Sequence, residues 1–135
     1  MRFRTLLLSC ALAGAGLSAT LPARAECVSQ GFAPGGTLCN GCRYEGSMSV
    51  SRGHACERPY RPTAPGGMGA LSTTVIVSNR VVQRAKHGIA GASSNTWAYQ
   101  PAPGFVGTDD FTTEARFQTG GQTGTFTVHW TVTVQ

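Results

Sequence analysis

The end of the chain alternates without interruption. Phe126, Val128, Trp130, Val132 and Val134 take every second position, and Thr127, His129, Thr131 and Thr133 fill the gaps. Successive side chains on a β-strand point to opposite faces, so this pattern predicts one strand with a core face and a wet face. Phe111, Thr113, Ala115 and Phe117 alternate in the same way with Thr112, Glu114, Arg116 and Gln118. Gly120, Gly121 and Gly124 lie between the two runs, and the pair is expected to form an antiparallel hairpin. Shorter strands are expected over residues 43–51, 71–78, 80–85 and 96–100, with Asn79 breaking the middle pair and His87-Gly88 marking the next turn. Several short strands at this spacing predict an all-β chain folded as an antiparallel β-sandwich.

The other end predicts where that fold forms. Arg2 and Arg4 precede an apolar run over residues 6–17, broken only by Ser9, and Ala23-Arg24-Ala25 follows. This is the order of a secretory signal peptide, with cleavage expected after Ala25. A transmembrane anchor needs about 20 apolar residues; this run is shorter and ends in Pro22 and Arg24. Residues 26–135 then form one domain, periplasmic or secreted, with no transmembrane segment left. Arg2, Arg4 and Arg24 leave with the leader, so the formal charge of +5 falls to +2. Nucleic acid loses its main support as a partner, because the basicity belongs mostly to targeting.

Cysteine usage fits an oxidising compartment. Cys10 leaves with the leader; Cys27, Cys39, Cys42 and Cys56 remain. An even set in a small exported domain reads as two disulfides. The pairing is open among three. Longer closed loops restrict the unfolded chain more, which favours joining Cys39 and Cys42 to distant partners. Cys39-Asn40-Gly41-Cys42 also has the spacing of a redox motif or half a zinc site. A thioredoxin-like site should open a helix, which Gly41 and the residues after Cys42 do not suit, and haem attachment needs histidine where Arg43 stands.

Texture divides the mature chain in two. Residues 26–67 are rich in Cys, Gly and Pro and are expected to pack on the sandwich or to start it. Residues 68–135 hold nearly all the β-branched and aromatic side chains. Within them stands Tyr99-Gln100-Pro101-Ala102-Pro103-Gly104-Phe105-Val106-Gly107-Thr108-Asp109-Asp110-Phe111. Each residue suits a corner between two strands. Tyr99 offers a ring to the core and a hydroxyl to a nearby backbone group. Pro103-Gly104 suits a type II turn, Gly107 a tight bend, and Asp109 an Asx-type cap. Phe105 plugs the end of the sandwich, and Phe111 starts the next strand. The skeleton Tyr-x-Pro-x-x-Gly-Phe-x-Gly-x-Asp-x-Phe, on Tyr99, Pro101, Gly104, Phe105, Gly107, Asp109 and Phe111, resembles the signature of bacterial Ig-like, cadherin-like domains. Lys86-His87-Gly88 stands where those domains often carry a Pro-x-His-Gly turn. The resemblance implies an Ig-like sandwich and a structural or adhesive extracellular role.

Other readings are weaker. Asp109 and Asp110 suit calcium, but that ion takes six to eight oxygens and Glu114 is the only other acid in the second half. His54, His87 and His129 are far apart in sequence, no serine sits in a Gly-x-Ser-x-Gly elbow, and the six acids do not form an evident catalytic pair. Trp97 and Tyr99 share one strand face and read as core rather than a sugar platform. Arg52, Arg58 and Arg61 precede the Pro/Gly linker, and Arg80, Arg84 and Lys86 follow it. If both groups share a face, they can bind anionic envelope polymers or lipid headgroups. The expectation is a non-catalytic module without metal or cofactor, partnered by an envelope protein or polysaccharide. Its rivals are a basic surface-binding protein and a small redox or metal protein built on the four cysteines.

Overall fold

The structure, a computed structural model, describes residues 27–30, 38–59 and 74–135. The leader, the Pro/Gly linker and Arg61 lie outside these residues. Among the described residues every regular element is a strand: β1 (Val28–Gln30), β2 (Cys42–Val50), β3 (Cys56–Pro59), β4 (Val75–Gln83), β5 (Gly88–Ser93), β6 (Thr96–Pro101), β7 (Gly107–Thr119) and β8 (Gln122–Val134). No helix among them is long and apolar enough to cross a membrane.

The two alternating runs form the expected hairpin. Phe111 pairs with Trp130, Thr113 with Val128 and Ala115 with Phe126, so inward positions meet inward positions along the whole ladder. The loop is Gly120-Gly121, between the paired residues Thr119 and Gln122. Both glycines have positive φ, 52° and 81°. Consecutive left-handed residues give the turn whose twist matches a two-stranded ribbon, and side chains there are strained.

The strands divide into sheets of order β1-β2-β8-β7-β4 and β3-β6-β5. β8 is central to the larger sheet. It pairs antiparallel with β7 on one side and parallel with β2 on the other, Cys42 against Phe126 through Val50 against Val134. The cysteine-rich half is therefore built into both sheets rather than laid over them. β2 alternates as expected, with Met48 and Val50 inward.

The inner faces meet in an aromatic layer. Trp97 and Tyr99 reach from β6 towards the larger sheet and are fully buried. Trp97 lies 5.7 Å from Trp130, Tyr99 stacks 6.1 Å from Phe111, and Phe111 stacks 6.1 Å from Trp130. Fully burying a side chain of this size is worth about 1.5–3 kcal/mol. Thr113 is buried in the same layer because its hydroxyl oxygen accepts the Trp97 indole N–H at 2.8 Å, a bond that crosses between the sheets. The core reading of Trp97 and Tyr99 holds.

Two strand expectations need correction. Asn79 does not break a pair of strands: β4 runs through it, opposite Ala115, and absorbs irregularity in bulges at Ile76/Ser78 and Val81/Gln83. A bulge lets an irregular sequence stay in the ladder by adding a residue on one side. β7 begins at Gly107, not at Phe111, because residues 107–110 continue the ladder with β8.

Candidate functional site

The densest buried polar cluster among the described residues lies at the corner between β6 and β7. Gly104 has φ 77° and follows Pro103, and the Phe105 N–H donates to the Ala102 carbonyl at 3.1 Å. That is the type II turn expected there, with glycine in the position that needs positive φ. The Ala102 N–H donates to the His87 carbonyl at 2.8 Å and ties the corner to the start of β5. Phe105 is half-buried and stacks on the His87 ring at 4.5 Å, while Pro101 is buried and Gly107, φ 136°, opens β7.

Asp109 holds this corner together. It faces inward from β7 and is 3% exposed. One carboxylate oxygen accepts the backbone N–H groups of Lys86 at 3.0 Å and Asp110 at 2.9 Å. The other accepts the His87 N–H at 2.8 Å and the Tyr99 hydroxyl at 2.9 Å. A carboxylate has about four lone-pair sites, and all are engaged. Burial pushes the Asp109 carboxyl up, but the bonds from Lys86, His87, Tyr99 and Asp110 outweigh it and hold the group below the usual carboxylate range. Burial pushes the Tyr99 phenol up strongly, helped by its bond to Asp109 and by that charge. Tyr99 was expected to bond a backbone group and bonds a carboxylate instead. The reason is tertiary: Tyr99 and Asp109 belong to opposite sheets and face each other across the core. With its lone pairs taken by the protein, Asp109 has none to offer calcium.

The cysteines pair as Cys27–Cys56 and Cys39–Cys42. This corrects the preference for joining Cys39 and Cys42 to distant partners. Loop entropy describes the unfolded chain; local geometry decides which thiols meet. The Cys42 N–H donates to the Cys39 carbonyl at 3.3 Å, and this turn brings their Cα atoms to 5.5 Å. Cys27 precedes β1 and Cys56 opens β3, so their bond staples one edge of the larger sheet to an edge of the smaller.

Among the described residues, the two basic groups do not share a face. Arg52 and Arg58 belong to the turn before β3 and to β3, on the edge marked by the Cys27–Cys56 bond. Arg80, Arg84 and Lys86 lie on β4 and just after it, on the opposite edge, where β4 touches β5. The Arg80 guanidinium is already paired with Glu114 at 2.7 Å.

A polar chain that the alternation alone does not announce runs along the outer face of the larger sheet. The Gln83 amide donates to Asp110 at 2.6 Å, Thr112 donates to Gln83 at 3.0 Å, and the Thr112 hydroxyl lies 3.2 Å from His129 Nδ1. Gln83, Thr112 and His129 of this polar chain line, with Arg43, Tyr44, Glu45 and Thr127, a shallow cleft of about 410 Å³. Period-two alternation placed Thr112 and His129 outward, but nothing in the sequence brings Gln83 beside them.

No protein-family model matches this chain, and no curated protein does. Among solved structures, a nucleoside hydrolase-related hypothetical protein from Saccharophagus degradans, associated with carbohydrate metabolism, is similar over 66% of this chain at 14% identity and a TM-score of 0.41. The match spans 22% of that protein's chain.

Proposed function

We propose that this chain is exported, loses residues 1–25, and serves as a non-catalytic Ig-like β-sandwich module of the bacterial envelope. The saturated Asp109 carboxylate carries the reading. It is the one carboxylate buried among the described residues, and its four bonds serve the corner rather than a substrate. Strand order supports the Ig-like assignment. Taken in chain order, β2 to β8 divide as second, fifth and fourth strands in one sheet and first, seventh, sixth and third in the other. That is the immunoglobulin partition with its first strand moved beside its last.

The partner surface is the edge made by β4 and β5. Val75, Val77, Val82 and Ile89 are all about half exposed or more, and β4 has no strand beyond it among the described residues. A groove of about 560 Å³ there is lined by Val81, Arg84, Ala85, Gly88, Ile89 and Ala90. A bare edge strand offers unpaired backbone groups to another chain. With Arg84 and Lys86 at its end, this edge fits an extended acidic segment of an envelope protein with an aliphatic side chain for the groove.

The test has two arms. After expression of the full chain in a bacterial host, the periplasmic fraction should yield a protein starting at Glu26 with no free thiol; an uncut chain in the cytosol overturns export. A labelled peptide alternating valine and glutamate should bind in fluorescence anisotropy, and Ile89→Asp should weaken it at least tenfold. Equal binding by both proteins, or by a valine–lysine peptide, overturns the docking edge.

A further inference from the structure

The Cys39–Cys42 turn differs from every other part of the fold in being cross-linked where a cross-link constrains little. Only Asn40 and Gly41 lie inside the loop. The turn is held independently of the sulfurs: the Gly41 N–H donates to the Thr125 carbonyl at 2.7 Å, and the Asn40 side-chain oxygen accepts the Thr125 N–H at 2.9 Å. Opening the disulfide leaves both anchors to β8 in place. The two cysteines would remain side by side as thiols, which a reversible pair requires.

The sulfurs are also reachable. Cys39 is exposed and Cys42 half-buried; in the other disulfide Cys27 is exposed too, but its partner Cys56 is fully buried. The Tyr44 ring packs edge-on against Phe126 at 5.6 Å, and this fixes its hydroxyl. That hydroxyl accepts the Cys39 N–H at 3.4 Å and points its proton at Cys39 Sγ, also 3.4 Å away. A donor held at a sulfur stabilises the thiolate formed there.

We propose that Cys39–Cys42 is a thiol–disulfide exchange site that reacts with a dithiol, on a module whose other disulfide is structural. A thiolate of the dithiol attacks the exposed Cys39 Sγ. The Cys39–Cys42 bond breaks, and Cys42 leaves as a thiolate and takes up a proton. The second thiol of the reagent then attacks its own sulfur in the mixed disulfide. Cys39 leaves as a thiolate facing the Tyr44 hydroxyl. Two electrons pass to the protein, and the reagent departs as a disulfide. In reverse, the Cys39 thiolate is the nucleophile.

Graded dithiothreitol, followed by alkylation and peptide mass mapping, tests this on the purified protein. Cys39–Cys42 is expected to open at a reductant concentration at least tenfold below that for Cys27–Cys56, with the near-UV circular dichroism unchanged. If both pairs open together, or the turn opens only as the fold is lost, the proposal falls. In Cys42→Ser, the pH midpoint for alkylation of Cys39 reports its thiolate. Adding Tyr44→Phe should raise that midpoint; an unchanged midpoint overturns the role given to Tyr44.

Discussion

The Asp109 corner and the Cys39–Cys42 turn are both tight reversals at a strand end, and they are closed by opposite means. The corner has no covalent bond and a buried carboxylate with four donors from three separate segments. The turn has a covalent bond and lies exposed. The contrast teaches that cross-linking and structural weight are separate properties. A disulfide stabilises chiefly by restricting the unfolded chain, so a link across three positions does less than one across 29. A buried carboxylate ties together groups that have no other partner, so its loss leaves several of them unsatisfied at once.

Asp109→Ala should have the largest effect. It strands three backbone N–H groups and the Tyr99 hydroxyl, and should cost about 4 kcal/mol in urea denaturation. A loss below about 1 kcal/mol would mean the corner is held by something else. Replacing Cys27 and Cys56 together by alanine should cost about 3.6 kcal/mol on loop entropy, given their separation of 29. The same double replacement of Cys39 and Cys42 should cost about 2 kcal/mol at most. Equal costs for the two pairs would erase the distinction between staple and turn. Tyr99→Phe removes one bond from the four at Asp109 and should cost about 1–1.5 kcal/mol, measured the same way.

Stability at the corner should also depend on pH. The folded pKa of Asp109 is lowered, so its contribution is present above the unfolded value near 3.9 and fades as pH falls through the lower folded value. The folded pKa of Tyr99 is raised, so its contribution is complete below the unfolded value near 10 and fades as pH rises beyond it. Thermal melting from pH 2 to 11 should show both losses. Asp109→Asn should have the shallower acid limb; an identical limb would remove Asp109 as its source.

Much of the larger sheet was legible residue by residue. The run from Phe126 to Val134 named its own inward face, and Gly120-Gly121 named its own turn. β3 and β5 were not legible. β3 has only Cys56 buried among four residues, and β5 is mostly glycine, alanine and serine with Ile89 exposed, so neither carries an alternating pattern. The motif around Asp109 located the corner and its type II turn correctly, yet the partner of Tyr99 was misjudged because it lies across the core.

Alternation, turn glycines and the proline before Gly104 act over two to four residues, through sterics that operate before the chain has any tertiary shape. For β7, β8 and the corner, local sequence therefore determines that strands form, which faces they bury and where the chain reverses. Which strand lies beside which, and so which thiols, which hydroxyl and which carboxylate meet, depends on packing groups far apart in the chain. Packing at long range sets β2 parallel to β8, closes Cys39 on Cys42, and puts Arg52 and Arg58 on the opposite edge from Arg80 and Arg84.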